Sequence, residues 1–394
     1  MKLWQKDDPI NKTIETFTIG KDRELDLFLA KYDIIGSLAH IRMLESIGLL
    51  TKNELSKLEI ELNILLEKAE NGTFKIEEGI EDVHSQVEIE LTRKLGDIGK
   101  KIHSGRSRND QVLVDLRLFF RDEIQSIAKE MKGLFEILID KSEAFKDVLM
   151  PGYTHLQVAM VSSFGLWLGG YAETLVDDLR LLKSVYDITN QNPLGSAAGY
   201  GNSFPLNRKM TTELLGFDNL NYNVIHAQLG RGKTELFLSF ALAGIGNTLS
   251  KLAMDVCLFC NQNYDFIKFP DELTTGSSIM PHKKNPDVFE LIRAKSNKLQ
   301  ALPTEISMIT NSLPSGYHRD FQLIKEAIFP AIEETKNCLK IMAYSLQFME
   351  VRENILKEEK YKYIFSVEAV NQKVLEGMPF RDAYKLVAKD IENG

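Results

Sequence analysis

The chain has 394 residues, 44% of them hydrophobic, and carries a formal net charge of −8 at pH 7. This length exceeds the roughly 250–300 residues at which one hydrophobic core usually divides, so we expect two or three domains. The acidic balance, without a Lys/Arg-rich arm, argues against nucleic-acid binding. We therefore expect its partners to be small molecules or further copies of the same chain.

The three cysteines, Cys257, Cys260 and Cys338, are too few for a disulfide framework, which favours a reducing cytoplasm. Cys257 and Cys260 have the spacing of a metal or redox pair. They lie in an apolar run without a second pair, however, so we expect core cysteines. The N-terminus lacks a signal-peptide core, and no uncharged apolar run reaches the ~18 residues of a membrane span. We predict a cytoplasmic protein with no membrane partner.

Apolar residues recur at helical rather than alternating spacing, and no proline occurs between Pro9 and Pro151. Three apolar stripes are evident: Leu116, Phe120, Ile124, Ile127, Met131, Leu134 and Leu138; Ile245, Leu249, Leu252, Val256 and Phe259; Phe289, Ile292, Leu299, Leu302, Ile306 and Ile309. Pro303 should bend the third helix. Three such helices predict an all-α, long-helix bundle.

Shorter helical patterns flank this bundle, with breaks at Gly48, Asn71-Gly72 and Gly79 on its N-terminal side. We predict three parts: an N-terminal helical domain over 1–106, the central long-helix bundle over 107–350, and the incomplete start of a small C-terminal domain over 351–394.

Residues 274–290, TTGSSIMPHKKNPDVFE, form a polar segment between helical patterns. Asn285 before Pro286 predicts an N-cap followed by proline at the first helical position, so the positive end of a helix would face the loop. With Lys283 it would form an anion site at which Ser277 could act on a carboxylate. From these residues alone, simple capping and solvated lysines remain the alternative.

Two further polar segments are KIHSGRSRNDQ at 101–111 and PGYTHLQ at 151–157. Arg106 and Arg108 have guanidinium groups suited to carboxylates or phosphates, but internal ion pairs are an equal alternative. His155 is expected at a turn that leads into a helix, where a lone histidine is more often structural than catalytic.

His84 is predicted on a helix with Glu81 and Glu88, which fits a solvated face as well as a site. The sequence contains no HExxH motif, paired zinc-spaced cysteines, P-loop, dinucleotide-binding glycine motif in a strand context or GxSxG elbow. These observations favour acid–base chemistry on an anion, with no metal and no cofactor.

GSSIMPHKKNP at 276–286 resembles the signature loop of the fumarase/aspartase superfamily, whose members eliminate across a C–N or C–O bond and release fumarate. HSGRSRNDQV at 103–112 and PGYTHLQ at 151–157 resemble the argininosuccinate lyase family more closely than fumarase, aspartase or adenylosuccinate lyase. LPSGYHRDFQLIKEA at 313–327 and GMPFRDAY at 377–384 extend the match. The resemblance implies a fumarase/aspartase-like homotetramer that pools its long helices in one core and shares active sites between subunits.

The resemblance also implies a role for individual residues. Ser277 matches the catalytic serine, and His155 matches the catalytic histidine, paired with the carboxylate of Glu290. Lys283 and Asn285 match the positions that bind and stabilise the reacting carboxylate. The remaining matched substrate-binding positions are Thr18, Arg106, Arg108, Asn109, Thr154, Tyr317, Gln322 and Lys325.

The reaction implied is the reversible β-elimination of argininosuccinate to L-arginine and fumarate, the last step of arginine biosynthesis. Removing the proton beside a carboxylate creates extra negative charge, which Lys283 and Asn285 would stabilise. In one assignment Ser277 is the base and His155 is the proton donor. The assignment with His155 as the base and Ser277 as the donor remains open. Another fumarate-releasing lyase, such as adenylosuccinate lyase, or a non-catalytic crystallin-like protein are the alternative functions.

One segment departs from the family pattern. NVIHAQLGRGKTE at 223–235 replaces a motif like NSLDAVSDRD, with His226, Leu229 and Gly232 in place of Asp, Ser and a second Asp, while Arg231 persists. A variant substrate is therefore an open alternative.

Overall fold

The computed structural model describes residues 12–393. In chain order the α-helices are α1 (Lys12–Ile19), α2 (Asp22–Asp26), α3 (Ala30–Ser46), α4 (Lys52–Glu70), α5 (Val83–Leu95), α6 (Asp97–Lys100), α7 (Arg108–Ala144), α8 (Phe164–Thr189), α9 (Arg208–Leu214), α10 (Val224–Leu229), α11 (Lys233–Phe259), α12 (Asp287–Leu299), α13 (Leu302–Thr310), α14 (Leu323–Gln347), α15 (Ser366–Leu375) and α16 (Phe380–Glu392). The protein is 67% helical, which confirms the predicted all-α class.

The strands are short and pair two by two. They are β1 (Leu149–Thr154), β2 (Gln157–Ser163), β3 (Gln191–Asn192), β4 (Asn219–Leu220), β5 (Ile267–Lys268), β6 (Thr275–Gly276), β7 (Lys284–Asn285) and β8 (Glu350–Val351). The pairs are β1–β2, β3–β4, β5–β8 and β6–β7, and only β3–β4 among these is parallel.

The 37-residue helix α7 carries the first predicted apolar stripe, and every residue of that stripe from Leu116 to Leu138 is buried. The second stripe, from Ile245 to Phe259, is likewise buried along α11. Burying one such side chain contributes about 1.5–3 kcal/mol relative to leaving it exposed, so each stripe fixes which face of its helix points inward.

The third stripe is divided between two helices instead of following one bent helix. α12 ends at Leu299 and α13 begins at Leu302, with Pro303 in the first turn of α13. Proline is tolerated there because the first N–H groups of a helix have no intrahelical acceptor. The prediction that Pro303 bends a continuous helix was therefore wrong.

The chain divides into two compact units, one made of residues 12–128, 180–244 and 299–335 and the other of 129–179, 245–298 and 336–393. Most limits of these units fall inside long helices, among them α7, α8, α11 and α14. The division into 1–106, 107–350 and 351–394 stays a prediction.

In the first unit, α3, α4 and α5 enclose a hydrophobic cluster that includes Ile34, Leu58 and Leu91. The predicted breaks are confirmed, since Gly48 and Gly72 follow α3 and α4 with φ of +81° and +68°. Only glycine adopts this left-handed conformation at little cost, so these residues end their helices.

In the second unit, residues 151–157 belong to the antiparallel β1–β2 hairpin, whose turn is formed by His155 and Leu156. These residues have φ of +54° and +58°, the two consecutive left-handed conformations typical of a tight hairpin turn. The expected turn at His155 is confirmed, but it leads into strand β2, and α8 begins only after that strand.

Cys257 lies in the last turn of α11 and Cys260 directly follows the helix; both are partly buried rather than in the core as expected, whereas Cys338 is buried. Helix α11 is long and apolar enough to cross a membrane, but 56% of its most apolar window is buried inside the protein. Core helices of soluble proteins satisfy the same criterion, so this feature is weak evidence for a membrane span.

Candidate active site

The polar segment predicted to act on an anion forms a hairpin at its base. Thr275 pairs with Asn285 and Gly276 pairs with Lys284, so residues 277–283 form the loop that joins β6 to β7. The Lys284 ammonium at this base is paired with the carboxylate of Asp271, and both side chains are exposed. The loop above it is largely exposed, as the 82% exposed side chain of Ile279 shows.

Ser277 lies at the start of this loop, with its hydroxyl oxygen facing backbone N–H groups. Its Oγ accepts hydrogen bonds from Met280 N at 3.2 Å and from Ile279 N at 3.4 Å. Donors in this arrangement stabilise negative charge on an oxygen. These two N–H groups bind the neutral hydroxyl and would also stabilise negative charge on this oxygen when it develops.

The N-terminus of α12 follows β7 after Pro286, and the helix begins one residue later than predicted. Asn285 lies in β7, and the Pro286 carbonyl accepts hydrogen bonds from Phe289 N at 2.9 Å and Glu290 N at 3.1 Å. The helix still presents its positive end beside the loop. Asp287 and Glu290 lie in the first turn and offset part of that positive field.

Thr154 and His155 are exposed at the tip of the β1–β2 hairpin, and Glu290 is exposed on α12. All three residues belong to the second unit, as do Ser277 and Lys283. Within residues 12–393 of one chain, the side chains of His155 and Glu290 form no hydrogen bond. The pair that the resemblance implies is therefore not formed within a single chain.

The other predicted site residues belong to the first unit; they are Thr18, Arg106, Arg108, Asn109, Tyr317, Gln322 and Lys325. Arg319, which the sequence did not single out, connects part of this set. It donates to Thr18 O at 2.7 Å and to Glu81 Oε1 at 3.0 Å. Glu81 Oε2 in turn lies 3.4 Å from Arg108 Nη1. Burial opposes ionisation, but the Arg319 hydrogen bond and Arg108 charge outweigh it and lower the pKa of Glu81.

Lys325, in the first turn of α14, is buried between two carboxylates. Its Nζ lies 2.8 Å from Asp22 Oδ1 and 2.7 Å from Asp26 Oδ1, both on α2. Burial alone would lower the pKa of Lys325, but Asp26 and Asp22 raise it above its ordinary value. The ammonium therefore stays charged. Sequence reasoning missed both aspartates, although their spacing of four residues places them on one helix face.

Tyr317 and Gln322 are brought together by the 3-10 helix Arg319–Gln322, with Gln322 Nε2 donating to Tyr317 Oη at 3.0 Å. Burial raises the pKa of Tyr317, so its hydroxyl stays protonated. This pair can offer a neutral hydrogen-bonding surface to a polar substrate.

The GRSRND segment starts α7. Ser107 Oγ accepts from Asn109 N at 3.3 Å and Asp110 Oδ1 accepts from Ser107 N at 2.8 Å, a reciprocal pattern that fixes the first turn. Arg106 is buried and donates to Ser37 Oγ at 2.9 Å, whereas Arg108 is partly exposed and donates to Ser85 Oγ at 2.6 Å. Arg108 is therefore the more accessible of the two for an anion.

His84 is buried, not on a solvated helix face. Its Nδ1 lies 2.7 Å from Asp33 Oδ1 and 3.6 Å from Asp115 Oδ2. Burial lowers the pKa of His84, but the two carboxylates outweigh burial and raise it to about 9. Asp33 and Asp115 come from α3 and α7, so local sequence carried no signal for this contact.

These three side chains have ligand atoms within 4.8 Å of one another, which is compatible with a metal ion. The geometry is equally that of an imidazolium between two carboxylates, since Nδ1 is already at hydrogen-bond distance from Asp33. Protonated His84 balances one of the two carboxylates, and the buried Arg106 guanidinium is a further positive charge near Asp33 and Asp115.

The segment that departs from the family pattern surrounds Arg231. This buried guanidinium donates to Phe321 O at 3.1 Å, and its Nε lies 3.3 Å from Glu235 Oε1. His226 and Leu229 are exposed on α10, and Leu229 and Arg231 contribute to the lining of a cavity of about 350 Å³ in the first unit. Two of the three substituted positions, Leu229 and Gly232, thus lie in the wall of this cavity, beside the buried Arg231–Glu235 pair.

The chain matches the family described as "Lyase" over residues 7–300. It is 64% identical to the argininosuccinate lyase of Parabacteroides distasonis over 393 residues, covering 100% of this chain and 88% of the relative. It is 41% identical to the argininosuccinate lyase of Thermotoga neapolitana, covering 98% of both.

Solved structures with the same fold include an EDDS lyase in complex with formate, with a TM-score of 0.83, 25% identity and coverage of 98% of this chain and 77% of that one. A class II fumarase from Schistosoma mansoni has a TM-score of 0.79 at 17% identity, covering 95% of this chain and 87% of that one.

The helical fold and the matched family define a lyase of the fumarase/aspartase superfamily. The similarity to curated relatives spans the whole chain at high identity. The chain belongs to the argininosuccinate lyase family, whose members are carbon–nitrogen lyases.

Proposed function

We propose that this protein catalyses the reversible elimination of argininosuccinate to L-arginine and fumarate, the last step of arginine biosynthesis. The observation that carries the proposal is the 64% identity to an argininosuccinate lyase along the whole chain. The proposed serine, histidine and lysine of the site are all present, which argues against a non-catalytic structural role.

We propose Ser277 as the base. It removes a proton from the succinate carbon next to a carboxylate, and the electron pair forms the fumarate double bond as the C–N bond breaks. The two backbone N–H groups that donate to Ser277 Oγ support this assignment, because they favour an alkoxide. Lys283 and Asn285 stabilise the charge that develops on the substrate carboxylate.

We propose His155 as the group that protonates the departing guanidinium nitrogen, with Glu290 as its carboxylate partner. Thr18, Arg106, Arg108, Asn109, Thr154, Tyr317, Gln322 and Lys325 form the substrate-binding set. Arg108 and Lys325 supply charged N–H donors for the substrate carboxylates, in addition to those that they direct at acidic residues of the chain. No cofactor takes part in these steps.

We propose that the active sites are completed in a homotetramer. The exposed positions of His155 and Glu290 support this, because each has room for a partner from another subunit. Large apolar side chains on helices are also exposed, including Leu166 (71%) on α8 and Met308 (75%) on α13. Such side chains are typical of surfaces that are buried on assembly. We place the assembled enzyme in the cytoplasm.

The deciding assay is fumarate release by the purified protein from argininosuccinate and, separately, from adenylosuccinate. We expect release from argininosuccinate only. Release from adenylosuccinate alone would refute the substrate assignment, and binding of argininosuccinate without release would support the crystallin-like alternative. A variant substrate, suggested by the 223–235 departure, would show as release from a modified argininosuccinate and not from the parent compound. A fully active monomer would refute the shared-site assembly.

A further inference from the structure

One turn of α2 holds Lys325 with two carboxylates. Asp22 and Asp26 are the first and last residues of this helix, and the oxygens facing Lys325 Nζ lie at 2.8 Å and 2.7 Å. All three side chains are buried. A lysine ammonium has three N–H donors, so two are occupied and one remains for another acceptor.

The second carboxylate oxygen of Asp26 also forms a hydrogen bond. Asp26 Oδ2 accepts a hydrogen bond from Val83 N at 3.4 Å, at the first residue of α5. The carboxylate is thus held between α5 and α14, and its orientation is fixed at both oxygens. A lysine side chain otherwise has several rotatable bonds and would lose considerable conformational freedom on binding a substrate.

We propose that Asp26 is a positioning residue for substrate binding: it fixes Lys325 so that the remaining N–H points at a carboxylate of the bound substrate. This inference rests on the proposed function, because it requires Lys325 to contact argininosuccinate. Preorganising the ammonium before binding reduces the entropy that binding must overcome. Asp26 itself need not touch the substrate, since it acts through Lys325.

The test compares Asp26→Asn with Asp26→Glu and with Glu24→Gln. Asparagine keeps the size and one acceptor but removes the charge, whereas glutamate keeps the charge. Glu24 is exposed on the same helix, so Glu24→Gln removes the same negative charge as Asp26→Asn and serves as the control. For Asp26→Asn we expect KM for argininosuccinate to rise by about tenfold or more with kcat changed much less, the pattern of lost binding. Asp26→Glu should recover part of the loss, and Glu24→Gln should match the native protein.

Combining Asp26→Asn with Lys325→Met tests whether Asp26 acts through the lysine. If it does, the double variant should have the KM of Lys325→Met alone, whereas independent effects would multiply. Multiplying effects, or an unchanged KM in Asp26→Asn, would overturn the inference. Thermal melting identifies variants that fail to fold, and a lowered melting temperature with unchanged KM would assign Asp26 a structural role only.

The native enzyme in the same assay separates the two proposals. If it releases no fumarate from argininosuccinate, the proposed function fails and this inference fails with it. If it is active and Asp26→Asn has an unchanged KM, only the inference fails.

Discussion

Replacing His84 with glutamine is expected to destabilise the first unit strongly. In the native protein the imidazole lies 2.7 Å from Asp33 and 3.6 Å from Asp115, and all three groups are buried. The substitution removes the imidazolium and leaves two neighbouring buried carboxylates with only the Arg106 guanidinium as a nearby positive charge. Breaking a buried ion pair by removing one partner costs about 3–5 kcal/mol, which gives the expected loss.

The native protein should also lose stability in a defined pH range. The pKa of His84 is raised from 6.5 to about 9, since Asp33 and Asp115 outweigh the opposing effect of burial. A group whose pKa is higher in the folded state than in the unfolded state stabilises the folded protein fully at pH values below its unfolded-state pKa. This stabilisation is lost as the pH rises through the folded-state pKa. Protonated His84 should therefore stabilise the folded protein fully below pH 6.5, and this stabilisation should be lost once the pH exceeds about 9. The free energy of unfolding should fall by on the order of 3 kcal/mol across this range.

Burial and the nearby Asp33 also raise the pKa of Asp115, which gives a pH dependence of the same sign. The assay is the urea midpoint of unfolding at several pH values between 6.5 and 9, at fixed protein concentration because assembly contributes to stability. His226→Gln is the control, since His226 is exposed on α10. Equal midpoints for His84→Gln and the native protein would refute the reasoning, as would an identical pH dependence in both.

Three further substitutions test the roles of two residues in the 277–283 loop and of Gly232, which precedes α11. Ser277→Ala should lower turnover by about 100-fold or more with an unchanged melting temperature, and an unaltered rate would remove Ser277 from the mechanism. Lys283→Met should lower kcat/KM by a similar factor, whereas loss of folding with normal specific activity in the folded fraction would assign it a structural role. Gly232→Ala should destabilise by about 1–3 kcal/mol, because φ is +79° and an added Cβ would lie 2.7 Å from Thr310 Cγ2. Gly133→Ala, in open space on α7, is its control and should be neutral or slightly stabilising in denaturant unfolding.

Periodicity predicted the parts of the fold in which one face of a long helix is buried. The buried face of α7 could be predicted from the spacing of its apolar residues between Leu116 and Leu138. Apolar residues on a buried helix face recur every three or four positions, whichever element packs against them. The breaks at Gly48 and Gly72 were equally local, since the left-handed backbone there requires glycine.

The predictions that failed depend on geometry beyond a few residues. His155 was expected before a helix, but pairing between β1 and β2 decides its conformation. Pro303 starts a helix because α12 has already ended at Leu299. For His84 the local pattern left a solvated face and a site both open, and the two carboxylates that decide between them are supplied by distant helices.

The candidate site was predicted in part for the same reason. The segment around Ser277 is continuous, so its residues suggested either an anion site or simple capping, and only the family resemblance favoured the anion site. The carboxylates that orient Lys325 and the Arg319 link to Thr18 join segments far apart in sequence, and only the folded chain brings them together.

The left-handed turn at His155 and Leu156 implies a trade-off between stability and activity. A non-glycine residue in this conformation costs on the order of 1–3 kcal/mol, so the hairpin would be more stable with glycine at its tip. Glycine has no imidazole, however, and the proposed proton donor would be lost with the strain. Selection for a more stable protein and selection for the proposed reaction would therefore favour different residues at position 155.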